Sequence, residues 1–225
     1  MENIDSKLSE GLKLEKKGEK EKAFELYEEL LNEMNNNEPK SNEPISFIYN
    51  RMANIEADKN LENALKFINK SINYAEKLED NLQINKSKIT KAVILKKSEN
   101  LEKAEKILKK VIKDLKQEKK ESRTEQGIGW ALYTLGETHL EMKKLKKAKK
   151  ELEESIQILE SLGDYGGKAA ANEKLGDLMK TKKNYNKAVN HYEESIQIYN
   201  EIGTKKDINK IKTKITEIKE KNKTS

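Results

Sequence analysis

The chemistry-bearing residues of this 225-residue chain are few: two histidines, His139 and His191, and no cysteine. Acid–base or nucleophilic catalysis needs a base, a group that orients it and a nucleophile within hydrogen-bond reach. His139 lies on a helical stripe with Leu132 and Leu135, where a packing role is expected. His191 adjoins Tyr192 and suits a surface or interhelical position. The acidic pairs Glu153-Glu154 and Glu193-Glu194 are adjacent in sequence, so their carboxylates leave different helix faces and share no site. GDYGG at 163–167 is glycine-rich, but no strand precedes it and no GK[ST] follows, so the context of a phosphate-binding loop is missing. It reads as a helix stop at Gly163 and the start of the next helix. No zinc or calcium ligand spacing occurs. The chain is therefore expected to have no catalytic residue, no metal and no cofactor.

One lysine run could do a different chemistry. MKKLKKAKKELEE gathers Lys143, Lys144, Lys146, Lys147, Lys149 and Lys150 around one helix start. Such a stripe could meet RNA or anionic lipid by counterion release. Glutamates follow at once and no aromatics are interleaved for base stacking, which favours a solvated face. The net charge of +6 comes from 46 basic and 40 acidic residues mixed along the chain, and only Arg51 and Arg123 are arginines. That balance does not favour a nucleic-acid partner. The start MENIDSKLSE has no apolar run of leader length, and no window approaches a membrane span. Together with the lack of cysteine, this predicts a cytoplasmic protein with no membrane partner.

The elements that position these residues are legible from a repeat. EESIQI occurs at 153–158 and again at 193–198, and the same shift of forty aligns Leu135-Gly136 with Leu175-Gly176 and Ala148 with Ala188. Each unit reads as two helices. The first carries a small residue, Gly136 or Gly176, among apolar residues at helical spacing. The second carries a stripe such as Ala148, Leu152, Ser155, Ile156 and Leu159. Upstream, the same second-helix stripe recurs from Ala23, Ala64 and Ala104. The five alanines at 23, 64, 104, 148 and 188 mark near-constant steps, the pattern of stacked supersecondary units. With only Pro39 and Pro44 as prolines, an all-α chain is expected.

These residues resemble the tetratricopeptide repeat (TPR) family, in a longer variant of about 40 residues against the usual 34 or so. The match lies in the small residue of the first helix (helix A), the turn, and the alanine opening the stripe of the second (helix B). The resemblance implies a right-handed α-solenoid of five helix pairs plus a C-terminal capping helix. The expected repeats span 3–37, 43–80, 82–119, 122–162 and 165–202, with the cap at 204–222 carrying Ile208, Ile211, Ile215 and Ile218. Trp130 sits two residues before the family's usual tryptophan place, and the proline that often closes a standard repeat is absent. In repeat two the small residue is Met52 by counting and Ala53 by size.

The resemblance further implies a non-enzymatic scaffold or adaptor that binds a peptide or protein segment in a concave groove lined by the A helices. Counting from the small residue, the groove face takes Asp5, Leu8, Leu12 and Glu15 in repeat one. Repeat two gives Phe47, Asn50, Asn54 and Ala57, and repeat three Lys86, Ile89, Val93 and Lys96. Trp130, Tyr133, Glu137 and Leu140 follow in repeat four, and Ala170, Glu173, Asp177 and Lys180 in repeat five. Trp and Tyr are the types that dominate interface energetics. Asn50 and Asn54 could bond an extended ligand's backbone, and Glu137, Glu173 and Asp177 suggest a basic ligand segment. The lysine, asparagine and arginine set that grips a terminal carboxylate in chaperone-binding members is not reproduced. A nucleic-acid regulator using helix B lysines and a self-associating assembly scaffold are the alternatives, the latter consistent with a homo-oligomer.

Overall fold

The computed structural model describes residues 2–36, 43–203 and 208–223. Pro39, the last residue of the first expected repeat and the first four of the expected cap lie outside them. The described residues form helices and no strand, as the all-α reading expects. They are α1 (Glu2–Lys17), α2 (Lys20–Asn36), α3 (Glu43–Glu56), α4 (Leu61–Lys77), α5 (Asn81–Lys97), α6 (Leu101–Leu115), α7 (Ser122–Glu141), α8 (Leu145–Ser161), α9 (Tyr165–Thr181), α10 (Tyr185–Glu201) and α11 (Ile208–Lys223). None is long and apolar enough to cross a membrane.

Two compact units divide the chain at Asn100 and Leu101, inside the segment 82–119, so α1–α5 form one unit and α6–α11 the other. In the first, α1 packs on α2, α3 on α4, and α5 on both α3 and α4. In the second, each helix packs on the next from α6 to α11.

Local chemistry sets the helix ends. Asn60, Asp80, Asp164 and Asn184 each cap a helix by accepting a backbone N–H three residues on, which satisfies a donor that the helix leaves orphaned. Gly163 closes α8 with φ 71°, as the GDYGG reading expects. The turns after α4, α5, α7 and α9 take the same left-handed conformation with Glu79, Glu99, Lys143 and Lys183, residues that pay a steric cost there.

The repeat stripe is the core. Ala23, Ala64, Ala104, Ala148 and Ala188 are all fully buried. A Cβ on Gly176 would lie 2.5 Å from Tyr192 Cε1, and one on Gly11 2.5 Å from Tyr27 Cε1, so the missing side chain admits a tyrosine ring from the following helix. In repeat two this place belongs to Ala53, which clusters with Ala64 and Ile68 of α4, whereas Met52 clusters with Ala23, Tyr27 and Leu30 of α2. Serines on the second helices tie the pairs: Ser71, Ser155 and Ser195 donate to the carbonyls of Ser46, Gly129 and Ala169 at 2.8, 2.8 and 2.9 Å.

Candidate interaction faces on the A helices

On α3 the predicted face of the first unit is neutral. Phe47, Asn50 and Asn54 on α3 and Ile89, Val93 and Lys96 on α5 are all partly exposed. Asn50 Nδ2 donates to Ser87 Oγ and Thr90 Oγ1, both at 3.3 Å, and Asn54 Nδ2 donates to Asn50 Oδ1 at 3.1 Å. The two asparagines are thus tied to each other and to α5, and a chain of hydroxyls continues inward through Ser87, Ser71 and Ser46. Between α1 and α3 the link is ionic: Arg51 grips Glu15 through two guanidinium nitrogens, and Tyr27 O–H donates to the same carboxylate at 2.8 Å. Burial first, then that hydrogen bond, pushes the Tyr27 hydroxyl well above the usual phenol range.

The second unit builds its face from charge. Trp130 and Tyr133 on α7 meet edge to face, ring centroids 5.5 Å apart. Trp130 Nε1 donates to Asp164 Oδ2 at 3.1 Å, and the other oxygen of Asp164 caps α9 at Gly167 N. Trp130 therefore pins α7 to the start of α9 as well as showing part of its ring to solvent. Burial, then the nearby Glu137, raises the Tyr133 hydroxyl well above its ordinary value.

The carboxylates expected to greet a ligand already have cations. Lys174 Nζ lies 2.9 Å from Glu137 Oε1, with the Glu137 side chain only 11% exposed. Burial alone would lower the Lys174 ammonium, but Glu137, Asp177 and Glu173 together outweigh it and the net shift is upward. From α11, Lys214 Nζ reaches Glu173 at 3.0 Å and Asp177 at 2.8 Å, while Tyr192 O–H donates to Asp177 at 2.7 Å. Lys180 pairs with Glu217 at 2.7 Å, and Leu140 packs against the apolar cluster of α9–α11. Lys174 and Lys214 are absent from the predicted face. The sequence repeats the residues of both pairs, Lys174/Glu137 and Lys214/Asp177, at a shift of forty, but only the stacked helices show that the lysines reach the carboxylates.

His139 is fully buried, as its stripe implies, but its neighbours are ionic. Its Nδ1 lies 2.5 Å from Glu151 of α8, and its Nε2 lies 3.2 Å from Glu105 of α6, out of line for a hydrogen bond. Burial raises the Glu151 carboxyl, opposed by His139. Lys109 and Lys144, the latter from the lysine run, complete the cluster on Glu105 at 2.5 and 2.8 Å. It staples α6, α7 and α8 together. His191 is interhelical, with Nδ1 3.1 Å from Asn172 of α9. Among the described residues no group of three His, Cys, Asp or Glu side chains is arranged to hold a metal.

Residues 127–201, which run from α7 to the end of α10, match the family model described as tetratricopeptide repeat. That segment carries tetratricopeptide repeats. Solved TPR-like structures share its fold. A Rap protein complexed with Competence and Sporulation Factor aligns at TM-score 0.75 and 17% identity, over 85% of this chain and 52% of that one. BtubC (BKLC) from P. vanneervenii aligns at 0.64 and 17%, over 84% and 77%. A signal transduction ATPase with a tetratricopeptide repeat sensor, from Pyrococcus horikoshii, aligns at 0.68 and 19%, over 96% and 31%. This chain thus spans about half of the Rap protein and less of the ATPase, and at these identities the likeness is one of fold. No curated protein matches the sequence. A TPR fold is a protein-interaction fold, and function has to be argued from the faces it presents.

Proposed function

We propose that this protein is a non-enzymatic scaffold that holds a peptide or protein segment on its A-helix faces, with α7 of the second unit as the principal contact. The observation that carries this reading is the edge-to-face pair of Trp130 and Tyr133, half-buried beside Glu137, whose charge Lys174 already meets. A partly exposed aromatic pair offers contact area at little entropic cost. A cationic ligand would have to displace Lys174 from Glu137, so the face suits an aliphatic or aromatic segment better than a basic one. In the first unit the side-chain N–H groups of Asn50 and Asn54 are committed to Ser87, Thr90 and Asn50, which leaves the Asn54 carbonyl oxygen to accept from a ligand backbone. The division of the sequence into five repeats and a cap belongs to the same reading.

Because Trp130 also pins Asp164, Tyr133 is the cleaner handle. Protein purified at high salt and exposed to lysate is expected to retain a specific protein, identified by mass spectrometry. Tyr133→Ala is expected to lose that protein with helicity unchanged, and the Trp130→Ala/Tyr133→Ala double variant to lose it fully. Unchanged retention by a folded double variant refutes the α7 face as the contact.

A further inference from the structure

α11 is held lightly for a helix that meets so much charge. Among its described residues it buries Ile211, Ile215 and Ile218 against the α9–α10 cluster, whereas α9 buries ten residues. Its ion pairs to the unit include Lys180–Glu217 at 2.7 Å, with Glu217 half exposed, and Lys219–Glu193 at 4.0 Å, both well exposed. Exposed pairs of this kind contribute little. Elements with few buried contacts open at a fraction of the global unfolding cost.

One contact is of another kind. The Lys214 ammonium lies between Glu173, 3.0 Å away, and Asp177, 2.8 Å away, and 5.4 Å from the centroid of the Tyr192 ring. Glu173 is nine-tenths buried, and Tyr192 is wholly buried with its hydroxyl fixed on Asp177. Two carboxylates and an aromatic face, held in place by α9 and α10, are the chemistry that recognises a primary amine. The unit repeats this arrangement forty residues earlier, where Lys174 sits on Glu137. There, however, the lysine belongs to α9, which is packed between α8 and α10.

We propose that the seat formed by Glu173, Asp177 and Tyr192 is a recognition site for a lysine-bearing amphipathic helix, and that α11 is its resident intramolecular occupant. A partner helix with branched aliphatic residues at the places of Ile211, Ile215 and Ile218, and lysine at the place of Lys214, displaces α11 and docks on α9 and α10. The pattern I-x-x-K-I-x-x-I, read off α11 itself, is the ligand signature. While α11 is seated, apparent affinity for the partner is reduced by the small fraction of molecules in which the seat is open. This site needs neither Tyr133 nor Trp130, so it stands or falls apart from the α7 face.

The probe is a labelled synthetic peptide of residues 208–223, titrated by fluorescence anisotropy against the full chain. In the Lys214→Glu chain the resident helix meets its own like charges. That variant is expected to bind the peptide about tenfold or more tighter than wild type, as the open fraction rises. Adding Asp177→Asn, or replacing the peptide's central lysine by alanine, is expected to remove the gain. Hydrogen exchange on the same full-length variant is expected to show 208–223 exchanging freely with α9 and α10 still protected. Free exchange without tighter binding would overturn the proposal. So would continued protection of 208–223, or a gain that survives loss of the peptide lysine.

Discussion

The α3–α5 step of the first unit and the α9–α11 step of the second use equivalent positions for opposite chemistry. Asn50 and Glu173 each stand three residues before the small residue of their helix, Ala53 or Gly176. Thr90 and Lys214 are their respective partners on the next A helix. In the first unit the link is an amide donating to a hydroxyl at 3.3 Å; in the second it is an ammonium on a carboxylate at 3.0 Å. The packing beneath is alike in both units, with a tyrosine ring against a glycine and its hydroxyl on a carboxylate, Tyr27 on Glu15 and Tyr192 on Asp177. The repeat therefore conserves shape between its copies and leaves the polar link between A helices free to vary. A neutral link is indifferent to salt and spares nothing for a charged ligand. An ionic link responds to salt and can be exchanged for a ligand's charge.

The common packing can be broken first, and with the largest effect. Tyr27→Ala and Tyr192→Ala each empty a fully buried site and strand a carboxylate bond, so each is expected to cost about 3–5 kcal/mol in urea unfolding. A much smaller loss in one of them would show that the two tyrosines are not equivalent. The neutral and ionic links should then differ. Lys174→Met removes the ammonium that meets the largely buried Glu137 and is expected to cost about 1–3 kcal/mol, shrinking as salt is added. Thr90→Val is expected to cost about 1 kcal/mol, with no dependence on salt. Equal salt dependence would erase the distinction. The smallest effect belongs to the turns. Lys183 holds φ 58° without a glycine's freedom, so Lys183→Gly is expected to leave the fold intact and stabilise it by up to about 1 kcal/mol in thermal melts. Destabilisation there would mean that the lysine side chain itself supports the turn.

Much of this was legible without coordinates, for a definable reason. Side chains on one helix stripe must bury together, so the five alanines and the serines and tyrosines that follow them announced which faces meet. The α7 aromatics were legible as well, because their offsets from Gly136 place them on one face. The fates of Glu137, Glu173 and Asp177 were not, since a carboxylate read singly looks like a site for a basic ligand. Trp130 was half-read, its ring expected on the face and its N–H bond to Asp164 unforeseen, because that bond links residues 34 apart across the whole of α8.

What the sequence determined by itself is therefore the unit of construction: an all-α chain of about forty-residue helix pairs, with the small residues and the buried stripes at known numbers. Periodicity is a property of the covalent chain, and hydrophobic burial translates it directly into which faces pack. What only the tertiary structure decided is which charges are spent internally, where the chain parts into two compact units, and that Ala53 rather than Met52 holds the close-packed place in α3. Charges on long side chains reach partners three or four turns and one helix away. Their pairing depends on the stacking of neighbouring helices, a distance that no local pattern encodes.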